Sequence, residues 1–258
     1  MMTNQTLDRL YEMRLSAMAD EFRRQMELPS MSELSFEERF GLLADAQWTS
    51  KNDKKLKRLL KQANLADANA ILADIDYDPI RKLDRAQIAR LSSLDWIREH
   101  HDLLITGATG IGKTWIISAF GREACHAGFL VRSFRVGRLL TDLEIGKGDG
   151  SYNRIMADLK KPDLLILDDF GMEPLSSSAS RDLYEVIYER HGAKSMIISS
   201  QLPVKEWYMM FEDKTVADAV MDRLANNSYR IEPKGPSRRP RLINDSKDNG
   251  QDENTMIG

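Results

Sequence analysis

The stretch GATGIGKTW, residues 107–115, decides how the rest of the chain is read. Gly107, Gly112, Lys113 and Thr114 stand at the spacing G-x-x-x-x-G-K-T, the phosphate-binding P-loop pattern. Leu103-Leu104-Ile105-Thr106 precede it, an apolar run suited to a buried strand. Behind it, Trp115, Ile116, Ile117, Ala119, Phe120, Ala124 and Cys125 read as a helix stopped by Gly128. Strand, glycine loop and helix in that order are what phosphate binding requires. Glycines let backbone N–H groups close on a phosphate with no Cβ in the way, and a helix N-terminus adds partial positive charge. Lys113 supplies a full charge near the β and γ phosphates, and Thr114 offers a hydroxyl to magnesium. Gly107, Ala108, Thr109, Gly110, Ile111, Gly112, Lys113, Thr114 and Trp115 are thus the expected nucleotide-binding set, with ATP and Mg2+ as cofactors.

A second half of the site lies downstream. LLILDDFG, residues 164–171, runs four apolar residues into two aspartates, the Walker B pattern. A buried strand would lift Asp168 to the carboxyl edge of a sheet beside the P-loop, where it can hold the magnesium shell. Asp169, one step on, is placed to orient or deprotonate an attacking water. Asp169-Phe170-Gly171 also spells the kinase D-F-G, but no H-R-D-x-x-x-x-N loop accompanies it and the glycine loop is of the other type. Further on, SMIISSQ, residues 195–201, is another apolar strand with a polar end. Ser200 and Gln201 there either sense the γ-phosphate or simply end the strand.

With 258 residues and 42% apolar content, the chain can fill one large domain, or a main domain with a small companion. It has no apolar run of membrane length and no signal-peptide h-region, so a cytoplasmic protein is expected. One cysteine, Cys125, excludes an internal disulfide and reads as a buried helix residue. Four histidines without ligand spacing give no reason to expect zinc. The net charge of −3 argues against a nucleic-acid partner, but the average hides two basic stretches. KNDKKLKRLLK, residues 51–61, carries six basic side chains against one Asp, and KGPSRRPR, residues 234–241, carries four with no acid.

Residues 1–75 read as an all-helical N-terminal domain, and residues 76–241 as the ATPase domain. Residues 242–258 form a polar acidic tail with the composition of disorder. Leu7, Tyr11, Leu15, Met18 and Phe22 predict one helix ended by Leu28-Pro29-Ser30. Ser35 and Glu38 make a capping box before a second, with Phe36, Phe40, Leu43 and Trp48 on its apolar side. A third places Leu56, Leu59, Leu60 and Ala63 on one face and Lys54, Lys57, Arg58 and Lys61 on the other. After residue 80, candidate strands at 103–106, 129–134, 164–167, 195–199 and 229–232 alternate with helices. The fold class is therefore α/β, a parallel sheet between helices preceded by a small helical domain.

GATGIGKT, LLILDDFG, IISSQLP, DAVMDRL and IEPKGPSRR, in this order, resemble the IstB-type transposition helper ATPases, AAA+ proteins of the helicase-loader clade. The likeness covers residues 1 to about 241. It implies a nonspecific duplex-DNA-binding protein that forms a homo-oligomer with ATP on DNA and delivers target DNA to a partner transposase. It also implies an arginine finger at Arg223 in Asp222-Arg223-Leu224, and a sensor arginine at Arg239 or its neighbour Arg238. Two features depart from the family pattern. Trp115 stands where relatives carry His or Tyr, and Asp169 stands where most AAA+ proteins have glutamate. The row Lys54, Lys57, Arg58, Lys61 suits a phosphate backbone, although a charged helix face can also be merely solvated. Arg135, Arg138 and Lys147 either extend the DNA path or serve solubility. The alternative within the same clade is a replicative helicase loader, whose N-terminal region grips another protein.

Overall fold

The computed structural model describes residues 2–238, so Arg239 and the tail 242–258 lie outside the described residues. The chain begins with helices α1 (Met2–Glu12), α2 (Ser16–Glu27) and α3 (Phe36–Ala63). Three short 3-10 turns follow α2 and α3 (Pro29–Glu33, Leu72–Asp74, Pro79–Arg81), and then come α4 (Arg85–Leu91) and α5 (Asp95–Arg98). From there strands and helices alternate: β1 (Asp102–Thr106), α6 (Lys113–His126), β2 (Val131–Arg135), α7 (Val136–Asp149) and α8 (Tyr152–Lys160). The chain continues through β3 (Leu164–Phe170), α9 (Ser177–Arg190), β4 (Ser195–Ser200), α10 (Lys214–Asn226) and β5 (Ser228–Ile231). Each of the five expected strands is present: the inner strands β1, β3 and β4 are buried along almost their whole length, while the edge strands β2 and β5 carry arginines and stay partly exposed.

All neighbours pair parallel in the order β2-β3-β4-β1-β5. Alternation along each strand sends side chains to opposite faces. Leu103, Ile105, Leu164, Ile166 and Ile197 join the layer formed by the end of α3 with α4, α5 and α6. Leu104, Leu165, Leu167, Met196 and Ile198 join the layer formed by α7 to α10. The sheet is thus buried on both faces, and its carboxyl edge is left to the loops. Because β4 separates β3 from β1, the end of β4 must fill the space between the P-loop and the Walker B aspartates.

The helical region departs from the sequence reading in three ways. The first expected helix is two: the chain breaks at Met13–Leu15, where Arg14 takes a left-handed φ of 61°. Helical spacing alone could not register that break, since the apolar positions stay in phase across it. The second and third expected helices are one, α3, of 28 residues and so about 42 Å long. The capping box forms as expected, with Ser35 N donating to Glu38 Oε2 at 2.8 Å and Glu38 N to Ser35 Oγ at 3.2 Å. No proline interrupts residues 36–63, and a single glycine, Gly41, weakens so long a helix without ending it. The helix therefore runs on until Asn64, in left-handed conformation, caps it. Lastly, the apolar side predicted at the start of α3 is not core: Phe36, Phe40 and Trp48 are 76%, 53% and 68% exposed. The end of α3 does enter the core, with Leu59 and Ala63 buried in the same cluster as β1 and α6. A boundary drawn at residue 75 therefore crosses continuous packing.

Candidate nucleotide site

The site is built where β1 runs into α6. Gly112 caps the helix at φ 100°, a left-handed value that only glycine adopts without strain. At Gly107 a Cβ would lie 2.9 Å from the Pro233 carbonyl oxygen, so the loop packs this closely only without a side chain. Lys113, 7% exposed, folds back so that Nζ donates to the carbonyl oxygens of Gly107 at 2.7 Å and Ala108 at 3.0 Å. Its ammonium is thereby held over the mouth of the loop, where phosphate oxygens can replace the carbonyls as partners. Thr114 Oγ1 donates to Asp168 Oδ2 at 3.0 Å, so the two expected metal-shell residues already meet.

Asp168 sits at the end of β3, 2% exposed. Its Oδ1 also accepts from Ser199 Oγ, and from Asp169 N at 3.1 Å. The β3–β4 register shifts between Leu167 and Phe170, and within that bulge Asp169 takes φ 60°. The bulge turns the Asp169 carboxylate out of the sheet into the loop cavity, a re-aiming that bulges beside active sites commonly perform. Aspartate is among the few L-residues that enter the left-handed region cheaply, which suits it to this position. A hydroxyl and a buried carboxylate in contact are hard oxygen donors of the kind Mg2+ takes, so the residues fit that ion.

The cavity over the loop measures about 360 Å³. Besides the loop itself, its lining includes Asp67, Trp115, Asp169 and Gln201. Gln201 reaches the loop by accepting from Thr109 Oγ1. Ser200, its expected companion, does not line this cavity. Fully buried, Ser200 Oγ donates to the Phe170 carbonyl at 2.7 Å and accepts from Leu202 N at 3.0 Å, so its hydroxyl holds β4 to β3. The residue that does meet the Walker B carboxylate is Ser199, which the sequence reading missed. Two adjacent serines at a strand end look alike in sequence, and only strand phase decides which of them faces Asp168.

Other expected site residues scatter. Arg223, half-buried, donates from Nη1 to the Ala219 carbonyl at 2.7 Å and lies over the rings of Tyr184 and Tyr188. It is not part of the P-loop cavity of its own chain. Arg135, 72% exposed on its side chain, approaches Asp169 with Nε 3.7 Å from Oδ2. Together with Arg138 it edges a larger cavity of about 700 Å³, which shares Asp169 as a wall but lacks the phosphate loop. Lys147 is engaged within the chain: Nζ bonds Asp182 at 2.7 Å and Ser178 at 2.7 Å. Asp182 is buried and needs that charge, and the bond between them raises the Lys147 pKa, so this lysine neutralises the protein's own acid. Lys54, Lys57, Arg58 and Lys61 are all exposed on the outer face of α3, opposite Leu59 and Ala63. Arg238 lines the P-loop cavity, and its backbone N–H donates to the Gly110 carbonyl at 2.8 Å. Cys125 is buried as expected, its thiol pushed up to about 11 by burial.

Comparison with known proteins agrees with this geometry. The family described as IstB-like ATP binding protein matches residues 8–246. The ATP-binding protein of insertion sequence IS1162 from Pseudomonas fluorescens is 48% identical over 203 residues, covering 79% of this chain and 88% of that one. The insertion-sequence ATP-binding protein y4pL of Sinorhizobium fredii is 41% identical over 239 residues, covering 93% and 97%. Among solved structures, the DnaC helicase loader superposes with a TM-score of 0.52 at 18% identity, over 64% of this chain and 97% of that one, which speaks for the fold alone. Among the described residues no helix is long and apolar enough to cross a membrane. With a family match over most of its length and relatives 48% and 41% identical, the chain belongs to the IstB-like ATP binding protein family.

Proposed function

We propose that the protein is an ATP-dependent, sequence-nonspecific duplex-DNA-binding helper that oligomerises on DNA and assists a partner transposase in choosing and using target DNA. ATP binding follows from the family and the P-loop. The DNA half rests on one observation: four basic residues of α3 stand in a row on its exposed face, behind a helix end locked into the ATPase core. Such a row faces a phosphate backbone without reading bases, and among the described residues no base-reading element accompanies it.

ATP hydrolysis divides its roles among a few side chains. The loop N–H groups and Lys113 hold the phosphates, and Thr114 and Asp168 would hold Mg2+, which when bound neutralises charge between the β and γ phosphates. Asp169 takes the proton of a water attacking the γ-phosphorus as the bond to ADP breaks. Gln201 senses the γ-phosphate. Arg223 acts on the ATP of a neighbouring protomer, which its absence from its own cavity permits.

A helicase-loader role is the second reading, favoured by the exposed Phe36, Phe40 and Trp48, an apolar face suited to gripping a protein. Fluorescence anisotropy of labelled random duplexes separates the two. The transposition reading expects tight binding with ATP, weak binding with ADP, and equal affinity for unrelated sequences. Absence of duplex binding in either nucleotide would favour the loader.

A further inference from the structure

Arg238 is drawn in two directions. Its side chain lines the phosphate cavity, with Cδ 3.8 Å from where a Cβ on Gly112 would stand. Its guanidinium, however, is bonded outside the loop: Nη2 donates to Asp76 Oδ2 at 2.5 Å. Asp76 lies in the segment that joins the N-terminal helices to the strand core. Its other oxygen, Oδ1, accepts from Asp78 N at 2.9 Å, so this carboxylate shapes the segment's own turn. Arg81 closes the knot. Buried at 7% exposure, it stands with Nε 3.7 Å from Asp76 Oδ2, while Nη1 donates to the carbonyls of Ile111 in the P-loop, at 3.4 Å, and Pro236, at 3.3 Å. Joining segment, phosphate loop and C-terminal strap therefore meet at one carboxylate with two guanidinium groups.

We propose that Asp76 is a positioning residue that holds Arg238 off the nucleotide site, and that the phosphates of a nucleoside triphosphate compete with Asp76 for this arginine. The physical basis is the fork geometry of guanidinium, which matches carboxylate and phosphate oxygens alike. A triphosphate in the loop offers more negative charge than one carboxylate, so Arg238 moves from Asp76 to the nucleotide. Arg81, anchored by two backbone carbonyls, stays and keeps Asp76 from being left without a cation. When Arg238 leaves, the joining segment loses one of its ties to the loop, and nucleotide occupancy is thereby felt at the base of the helical region. The inference rests on the P-loop being the nucleotide site.

The test is a double-mutant cycle read by calorimetry with ATP. Asp76→Asn keeps the acceptor for Asp78 N but weakens the hold on Arg238, so ATP should bind about two- to fivefold tighter, the value of an exposed charge pair. Asp76→Glu, which restores the charge, should return affinity toward wild type. In an Arg238→Ala background, Asp76→Asn should change nothing. A second readout is hydrogen exchange of the amides at 76–80, which ATP should accelerate in wild type but not in Arg238→Ala. An equal effect of Asp76→Asn in both backgrounds, or no effect in either, would overturn the proposal. Lys113→Ala is the control that tells the two readings apart: unchanged ATP affinity there removes the nucleotide site itself.

Discussion

Asp169 shows how much a single residue's backbone decides. Its left-handed φ sits in a bulge that turns its carboxylate off the sheet and into the cavity. Asparagine tolerates the same conformation, so Asp169→Asn removes the charge without disturbing the fold. The variant should bind ATP like wild type and hydrolyse it at least a hundredfold more slowly, the lower end of what a general base contributes. Wild-type turnover in a phosphate-release assay would place the water-positioning group elsewhere. Asp102 makes a different case. Buried at the start of β1, it accepts from Met196 N at 2.7 Å, and burial pushes its pKa up to about 7 against the opposing bond and the charge of Arg190. The folded state therefore keeps a proton that the unfolded state gives up near pH 4, so stability is lost as pH rises from about 4 to about 7 and changes no further from this group above that. Asp102→Asn keeps the acceptor and does not titrate. In thermal melts the variant should gain on wild type between pH 5 and pH 8; a pH-independent difference would show that the wild-type carboxyl is not the titrating group.

At the scale of elements, the strands were legible and the helix ends were not. Leu103–Ile105 and Leu164–Leu167 are apolar without interruption, and a doubly covered parallel strand is the simplest structure that hides such a run. The joint at Arg14 and the unbroken course of α3 depend on local dihedrals and on the absence of a proline, neither of which apolar spacing records. The exposed side chains of Phe36, Phe40 and Trp48 mark where periodicity was present without a partner to bury it. Within the site, the P-loop and Walker B residues were legible because their chemistry dictates their order. Ser199 depends on strand phase, and Asp76 with Arg238 on a contact across 162 positions of sequence, which no local pattern contains. The basic row of α3 was legible, and it carries a quantitative expectation. Four phosphate contacts per protomer contribute a log–log salt slope of about −3.6 to duplex binding. Replacing Lys54, Lys57, Arg58 and Lys61 together by glutamine should remove that part of the slope and weaken binding equally on all sequences. An unchanged slope would move the DNA path away from α3.

At the scale of the whole molecule, the layers place the proposed chemistry on one edge of one sheet, where loop, Walker B pair and β4 end converge. Among the described residues, the cations lining the loop cavity are Lys113, folded onto the loop, and Arg238, tied to Asp76. Arg223, held by Ala219 and the two tyrosines, is presented away from its own cavity, and a neighbour's cavity is where it would act. An always-charged, planar guanidinium there would contribute on the order of a thousandfold or more to the rate, and would make the γ-phosphate part of the contact between protomers.

Mixing two inactive variants tests that claim directly. Arg223→Ala retains the P-loop and should bind ATP, while Lys113→Ala retains the finger and should not; neither should hydrolyse ATP efficiently alone. Co-assembled on duplex DNA, some contacts pair an intact loop with an intact finger, and ATPase activity should return to a fraction of wild type that follows the mixing ratio. No recovery, with co-assembly demonstrated by sedimentation, would contradict a nucleotide shared between neighbours.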